Sequence, residues 1–280
     1  MSVPILDNHV HLHPQGHNVE AVKEFAKAGG THLILSHLPY EEVRVHSAAD
    51  FLLSYDITLK MAERCRSETS VGVDVTVGPY PVLLIHLAEK QGLDKAIEIM
   101  KAGMESAQRL VLDGKSVGIG EIGRPHFPVP LEISEASNQI MSYGMQLAKE
   151  AGCPVVLHTE SATPENMREF AGMADKVGLP RNKVVKHYSP PLVLEAENSG
   201  LFPSVLAKKE STIEALGKGS RFLLETDYLD DLRRPGAVLS ITTVPKRTTS
   251  LLQSGQMTEE QAFKIHVDNP QEVYGISVRG

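Results

Sequence analysis

The stretch PVVLHTESATPENMREFAGMADKVGLPRNKVVKH, residues 154–187, decides the predicted fold. Its two ends, PVVLH and KVVKH, are short valine-rich runs of the kind found in buried strands. Between them Thr163 supplies a helix cap and Pro164 takes the first helical position, which predicts a helix. A strand, a helix and a second strand of this type form a β-α-β unit with parallel strands.

The same alternation runs along the rest of the chain. Eight strand-like runs alternate with helical segments: VPIL (3–6), HLILS (32–36), VGVDVTVG (71–78), VGIGE (117–121), PVVLH (154–158), KVVKH (183–187), LFPSVL (201–206) and RFLLE (221–225). Continuous apolar runs indicate strands that are buried on both faces of a parallel sheet. We therefore predict an α/β protein with a closed TIM (β/α)8 barrel, in a single domain over residues 1–280.

Composition excludes several classes of function. The 280 residues carry a formal net charge of −7, which does not suit a broad cationic surface for duplex nucleic acid. No apolar run reaches the roughly 20 residues of a membrane span, and MSVPILDNHVH is too short and polar for a signal peptide. Cys65 and Cys153 do not make a disulfide framework. We expect a cytoplasmic protein with no membrane partner.

One motif suggests a different fold. GIGEIGRPHFP, residues 118–128, contains the G-x-G-x-x-G spacing of a dinucleotide-binding turn. That turn requires a helix to begin on the glycines, so that backbone N–H groups face the phosphates. Pro125, Pro128 and Pro130 follow at once, and each disfavours a helix there. We therefore interpret the glycines as turn residues and Glu121 as the functional member of this stretch.

Ionisable side chains recur where the predicted strands end. The reactive residues of a parallel barrel lie at the carboxyl ends of its strands. At or just after those ends stand six metal-binding side chains: His9, His11, Glu121, His158, His187 and Asp227. Side chains two residues apart on a strand share a face, so His9 and His11 can chelate one ion.

These six side chains predict a binuclear metal centre. One cation takes His9, His11 and Asp227, a second takes His158 and His187, and Glu121 bridges the two. Imidazole and carboxylate ligands without cysteine suit Zn, Mn, Ni or Fe. Two such cations generate a bridging hydroxide near neutral pH, and Asp227 accepts or relays its proton.

The chain resembles the TatD-like hydrolases of the amidohydrolase superfamily. The resemblance rests on HVH (9–11), GEIG (120–123), VVLHTE (155–160), VVKHYS (184–189), ETD (225–227) and the closing NPQEVYG (269–275). It implies a TIM barrel with two divalent ions, Zn, Mn, Mg or Ni, and the same six ligands. It also implies that Glu121 replaces the carbamylated lysine of phosphotriesterase-like relatives. The best-known members of this family are magnesium-dependent deoxyribonucleases.

Three segments that border the predicted substrate pocket depart from the family pattern. The third strand ends in VGPYP, where typical members carry a histidine before the proline. GEIG continues into Arg124, Pro125 and His126, and ETD is followed by YLDD (228–231) instead of the usual proline. These changes leave the metal ligands intact and put nuclease activity in question.

We predict a metal-dependent hydrolase in which the bridging hydroxide attacks a phosphodiester, with Asp227 and Glu121 as catalytic residues. Arg124 and His126 are candidate substrate contacts, because an arginine can bind a phosphate or carboxylate through two hydrogen bonds. A salt-bridged arginine at the barrel rim is the alternative interpretation. The predicted substrate is a small molecule or a nucleic-acid end, and an oligomer remains compatible with the sequence.

The ligand set does not determine which bond is cleaved. Lactones, esters and amides are alternative substrates on the same centre, and a non-catalytic metal- or ligand-binding barrel is a further alternative. Five aromatic residues are candidate platforms for a nucleic-acid base: Tyr40, Tyr80, Phe127, Tyr188 and Tyr228. We expect Lys186 to point away from the side of His187, and Asp230 and Asp231 to be loop charges.

Overall fold

All the strands belong to one parallel sheet. The computed structural model describes residues 3–279. Nine strands follow each other in the order β8-β7-β6-β5-β4-β3-β2-β1-β9, and each neighbouring pair is parallel. They are β1 Leu6–His11, β2 His32–Ser36, β3 Gly72–Val77, β4 Gly118–Gly123, β5 Val155–His158, β6 Val184–Ser189, β7 Phe202–Leu206, β8 Leu223–Glu225 and β9 Tyr228–Leu229.

The eighth strand of the barrel is broken into two pieces. β8 pairs with β7, whereas β9 pairs with β1 through Val10↔Tyr228 and His11↔Leu229. Only Thr226 and Asp227 separate the two pieces, so the sheet returns to its first strand and the ring closes. The predicted TIM-barrel fold is confirmed; the single-domain assignment stays a prediction.

Eleven α-helices within residues 3–279 connect the strands and complete the chain. They are α1 Val19–Lys27, α2 Ala48–Glu68, α3 Leu83–Gln91, α4 Leu93–Leu112, α5 Leu131–Ala151, α6 Pro164–Val177, α7 Glu195–Asn198, α8 Lys209–Lys218, α9 Thr243–Gln253, α10 Glu259–Phe263 and α11 Asn269–Tyr274. The predicted cap of α6 is confirmed, because the amide of Asn166 donates to Thr163 Oγ1 at 3.3 Å. None of these helices has the length and apolar character needed to cross a bilayer.

The predicted position of the first strand was too early. VPIL (3–6) overlaps the observed strand only at Leu6, because the strand runs over the largely polar sequence LDNHVH from Leu6 to His11. Its polar residues face partners inside the protein instead of water: Asn8 Nδ2 donates to Ser204 Oγ at 2.9 Å. A hydrophobicity pattern cannot recognise a strand whose buried side chains are polar.

The interior of the barrel is apolar at one end and polar at the other. Inward-facing residues near the amino ends of the strands, among them Leu6, Val156 and Phe202, form a buried cluster. The C-terminal residues Val273 and Ile276 belong to this cluster and close that end of the barrel. The opposite end, where the strands finish, is left for polar side chains.

Candidate metal centre

The structure brings all six predicted ligands to the carboxyl ends of the strands. His9 and His11 lie on β1, Glu121 on β4, His158 at the end of β5 and His187 on β6. Asp227 lies in the break between β8 and β9, where its backbone adopts φ 49°. The role of these residues as ligands stays a prediction, but their convergence is observed at the mouth of the barrel, the end at which the strands finish.

Glu121 lies at the middle of the cluster. Its Oε1 is 3.0 Å from His187 Nε2, 3.2 Å from His158 Nδ1 and 3.3 Å from His9 Nε2. Its Oε2 faces the other way and is 3.8 Å from His11 Nε2. Burial acts to raise the pKa of Glu121, but the charges of His158 and His187 outweigh it and hold this pKa well below its usual range. The carboxylate therefore stays ionised and faces both halves of the cluster.

The other half of the cluster contains His9, His11 and Asp227. The two Nε2 atoms of the histidines are 3.1 Å apart, and Asp227 Oδ1 lies 3.5 Å from that of His11 and 4.0 Å from that of His9. Burial opposes protonation of His9, but the hydrogen bond and charge of Glu121 raise its pKa to about 9. Three side chains thus bring nitrogen and oxygen lone pairs to one place, an arrangement that suits a cation.

The donor atoms are of the kinds that bind divalent metal ions. Three groups have ligand atoms within 4.8 Å of one another: His9, His11 and Asp227; Glu121, His158 and His187; and His9, His187 and Glu225. The first two correspond to the two halves of the centre that the sequence predicts, and the third adds Glu225. Imidazole nitrogen and carboxylate oxygen are the ligands of Zn and related divalent ions in catalytic sites.

Three histidines are oriented by partners on their outer nitrogen. Nδ1 of His11 is 3.0 Å from the carbonyl oxygen of Ser36, and Nδ1 of His9 is 3.2 Å from Ser36 Oγ. Nδ1 of His187 is 3.0 Å from Glu225 Oε1. Such partners fix the ring so that Nε2 is presented to a metal. The sequence analysis missed Ser36 and Glu225, although both stand at strand ends and Glu225 opens the quoted ETD.

Glu225 is buried beneath the cluster. It accepts a hydrogen bond from the amide of Tyr188 at 2.7 Å and a second from the hydroxyl of Ser204. Burial raises the pKa of Glu225, while the charge of His9 and the Ser204 hydroxyl partly counter this shift. Its carboxyl group is thus held rigidly against His187.

His158 presents the opposite nitrogen to the centre. Its Nδ1 faces Glu121, while its Nε2 lies 3.0 Å from His126 Nδ1 and 3.4 Å from the hydroxyl of Tyr80. Partial burial and the charge of His158 lower the pKa of His126, which favours its neutral form. His126 therefore reaches the cluster, and its contact with substrate stays a prediction.

Arg124 is engaged in ion pairs. Its Nη1 and Nη2 each donate to one oxygen of Glu169 at 3.0 Å, and Nη2 is also 3.1 Å from Glu160 Oε1. The guanidinium lies over the ring of Phe170 at 4.8 Å and the residue is buried. This arrangement favours the rim salt bridge over the substrate contact that the sequence suggested.

Lys186 and Asp230, two charged residues near the cluster, are both buried. Lys186 is buried and donates to the carbonyl oxygen of His187 at 2.5 Å, and burial lowers its pKa to about 8. Within residues 3–279 its amine has no hydrogen bond to the side chain of any predicted ligand, in keeping with a non-catalytic role. The interpretation of Asp230 as a loop charge is wrong: it is 1% exposed and accepts from the amides of His17 and Asn18 at 2.8 and 2.7 Å.

The fold and the cluster together define the class of protein. A parallel barrel whose strand ends gather four imidazoles and two carboxylates is the architecture of metal-dependent hydrolases of the amidohydrolase superfamily. The family model described as TatD related DNase matches residues 6–275, and the chain belongs to this family. The resemblance seen in the sequence motifs is thereby confirmed.

Individual relatives agree with this placement. The chain is 39% identical over 280 residues to the uncharacterized protein MJ1127 of Methanocaldococcus jannaschii, covering 99% of this chain and 98% of that one. The TatD-like protein AF1765 of Archaeoglobus fulgidus superposes with a TM-score of 0.65 at 16% identity, over 97% of this chain and 100% of the other. The TatD homologue YJJV of Escherichia coli K12 gives a TM-score of 0.65 at 18% identity, over 99% and 100%. At these identities, the two solved structures are similar in fold.

Proposed function

We propose that this protein hydrolyses ester bonds at a centre of two divalent ions in the mouth of the barrel. The observation that supports the proposal is the carboxylate of Glu121, which has imidazoles from β1, β5 and β6 within 3.3 Å of one oxygen. In the proposal His9, His11 and Asp227 would hold one ion, His158 and His187 would hold the other, and Glu121 would contribute to both. Such ions, when bound, make a nucleophile available at neutral pH and polarise the bond that is attacked.

Asp227 is the proposed proton acceptor. Its side chain is 14% exposed, and neither of its carboxylate oxygens is hydrogen-bonded to another residue within 3–279. It lies beside His11 and opens toward the mouth, where a proton can be taken from the attacking water and passed to the leaving group. Glu121, being fully ionised and buried, orients the surrounding imidazoles and is the second proposed catalytic residue.

A phosphodiester is the first candidate for the bond that is cleaved. The family description, TatD related DNase, supports this choice. A net charge of −7 favours a small molecule or a nucleic-acid end over a long duplex. His126, next to His158 at the mouth, is the proposed substrate contact, with Arg124 as a second contact if its ion pairs open.

A lactone, carboxylic ester or amide is the second candidate, and the arginines near the mouth favour it. Arg124 is paired with Glu169 and Glu160, as described above. Arg233 pairs with Glu41 at 2.7 Å and with Asp231 at 3.2 Å, and Arg234 pairs with Asp231 at 2.9 Å. A phosphate would have to compete with these carboxylates for each guanidinium, whereas an uncharged substrate would not.

The test is metal-dependent turnover of a substrate panel. The protein is stripped with a chelator, reloaded with Zn, Mn, Mg or Ni, and assayed on bis-p-nitrophenyl phosphate, p-nitrophenyl acetate and γ-butyrolactone. We expect activity that requires metal and falls about a thousandfold in Glu121→Ala, equivalent to roughly 4 kcal/mol of transition-state stabilisation. The exposed Glu132→Ala, at the start of α5, is the matched control and retains full activity.

The panel also separates the alternatives. Turnover of the phosphodiester alone supports the first candidate, and turnover of the acetate or lactone alone supports the second. Equal activity of Glu121→Ala and the parent protein rules out the proposed centre. Metal binding without turnover of any substrate favours a non-catalytic barrel.

We further propose that the protein works in the cytoplasm. Cys65 and Cys153 are both free and buried, and burial raises the pKa of each thiol to about 11. Two buried, protonated thiols are compatible with a reducing compartment and have no part in the proposed chemistry.

A further inference from the structure

Tyr80 is a polar side chain at the mouth to which the proposed chemistry assigns no role. It follows β3 in the segment Gly78-Pro79-Tyr80-Pro81, where the flanking prolines restrict the backbone. Its half-buried ring packs edge-on against His158, with ring centroids 4.9 Å apart. Its hydroxyl is 3.4 Å from His158 Nε2 and has no other hydrogen-bond contact within residues 3–279.

The tautomer of His158 determines where the Tyr80 proton can go. Nδ1 of His158 faces Glu121, so Nδ1 is the atom available to a metal. A neutral imidazole that binds metal through Nδ1 carries its proton on Nε2. Nε2 is then a donor, and His126 Nδ1 at 3.0 Å is its acceptor. The Tyr80 hydroxyl cannot donate to a nitrogen that already bears a proton, so its own proton is free to point into the mouth.

Tyr80 and Asp227 lie on different sides of Glu121. Asp227 is 3.5 Å from His11, whereas Tyr80 is next to His158. A phenol has an ordinary pKa near 10 and so carries its proton at neutral pH. The mouth therefore offers a proton acceptor on the His11 side and a neutral hydrogen-bond donor on the His158 side.

We propose that Tyr80 is a further catalytic residue, whose hydroxyl donates a hydrogen bond to the substrate oxygen that gains negative charge in the transition state. The inference rests on the proposed hydrolytic function. The phenol keeps its proton throughout the reaction. Asp227, on the His11 side, passes a proton to the leaving group. A preorganised donor of this kind acts on the transition state more than on the ground state.

The experiment compares Tyr80→Phe with the parent protein. Phenylalanine keeps the ring that packs on His158 and removes only the hydroxyl. Tyr143→Phe, on α5, is the control, because it removes a hydroxyl that donates to the exposed Glu105 of α4, away from the mouth. Three quantities are measured: the bound metal, the affinity for methylphosphonate as an inert oxyanion, and kcat and KM for whichever class of ester the parent hydrolyses, with leaving groups of graded acidity.

We expect Tyr80→Phe to bind the same amount of metal and to bind methylphosphonate about tenfold more weakly. We expect its kcat to fall about 10- to 100-fold, the range for a hydrogen bond to a charged group. The loss is the same for every leaving group, with little change in KM. Tyr143→Phe matches the parent in all three measurements.

Several outcomes overturn the assignment. These are equal methylphosphonate affinity in the two proteins, an unchanged kcat, a change confined to KM, or a loss that grows as the leaving group becomes more basic. The last result would make Tyr80 a proton donor to the leaving group. A parent protein that turns over no substrate would refute the proposed function, and the methylphosphonate comparison would still decide the role of Tyr80.

Discussion

Each histidine of the cluster presents one ring nitrogen to the centre, and the partner of its other ring nitrogen determines which one. His9, His11 and His187 have a partner at Nδ1 and present Nε2, whereas His158 has its outer partners at Nε2 and presents Nδ1. A neutral imidazole has one donor and one acceptor nitrogen, so an outer acceptor leaves the inner lone pair free for a metal. We therefore expect metal affinity to depend on residues that do not themselves bind the ion.

The strongest of these outer partners is Glu225, and its removal gives a prediction. We expect Glu225→Gln to lower the affinity of the metal-stripped protein for Zn or Mn about 10- to 100-fold, because an amide oxygen holds the Nδ1 proton of His187 less strongly than a carboxylate does. Titration calorimetry measures the affinity. The exposed Glu210→Gln on α8 is the control. An affinity equal to that of the parent would contradict the orienting role.

The convergence of the six predicted ligands could be predicted from the sequence, because each lies in or just after the last part of a strand, a position that local patterns reveal. Ser36 and Glu225 could not be assigned roles in this way, and the sequence predicts Tyr80 only as a candidate platform for a base. Each of the three contacts a histidine from a different strand, and that pairing depends on the twist and closure of the barrel. Arg124 shows the same limit, since its partner Glu169 comes from α6, 45 residues away.

At the level of elements, the breaks in the barrel coincide with its functional residues. β1 is irregular between Asp7 and Val10, and β8 and β9 are separated at Thr226 and Asp227. Regular strands would send alternate side chains to opposite faces. The irregularities leave Asp7 free to face the break, where it accepts from the amide and the hydroxyl of Thr226 at 3.0 and 2.7 Å. The hydrophobic runs predict β2 to β8, but they place the first strand too early and do not predict β9.

The contact between Asp7 and Thr226 is where the ring closes, and it gives a stability prediction. We expect Thr226→Val to lower the free energy of unfolding by about 1–3 kcal/mol, because the buried Asp7 loses one of its donors. Urea denaturation measures this change. Thr249→Val, on the exposed face of α9, is the matched control. Equal losses of unfolding free energy in the two variants would show that the hydrogen bond from Thr226 to Asp7 contributes no stability of its own.

Across the whole molecule, the C-terminal region is attached to the first strand by a buried histidine. Nδ1 of His266 is within 3.2 Å of the backbone amide of Leu6 and 3.0 Å of its carbonyl oxygen, and Nε2 is 2.9 Å from Thr248 Oγ1. Burial lowers the pKa of His266 to about 4, although the Leu6 carbonyl acts in the opposite direction. His266 is therefore neutral in the folded protein at pH values where it is protonated in the unfolded chain.

The acid stability of the protein should depend on this residue. The unfolded chain protonates His266 near pH 6.5 and the folded protein only near pH 4, so its contribution is complete above pH 6.5 and is lost as the pH falls toward 4. The shift corresponds to about 3 kcal/mol, or roughly 1.4 kcal/mol per pH unit within that window. We expect His266→Gln to show a correspondingly shallower pH dependence in urea titrations of the metal-stripped protein between pH 7 and 4.5. The exposed His86→Gln keeps the slope of the parent, and an equally steep slope in His266→Gln would place the acid sensitivity in other groups.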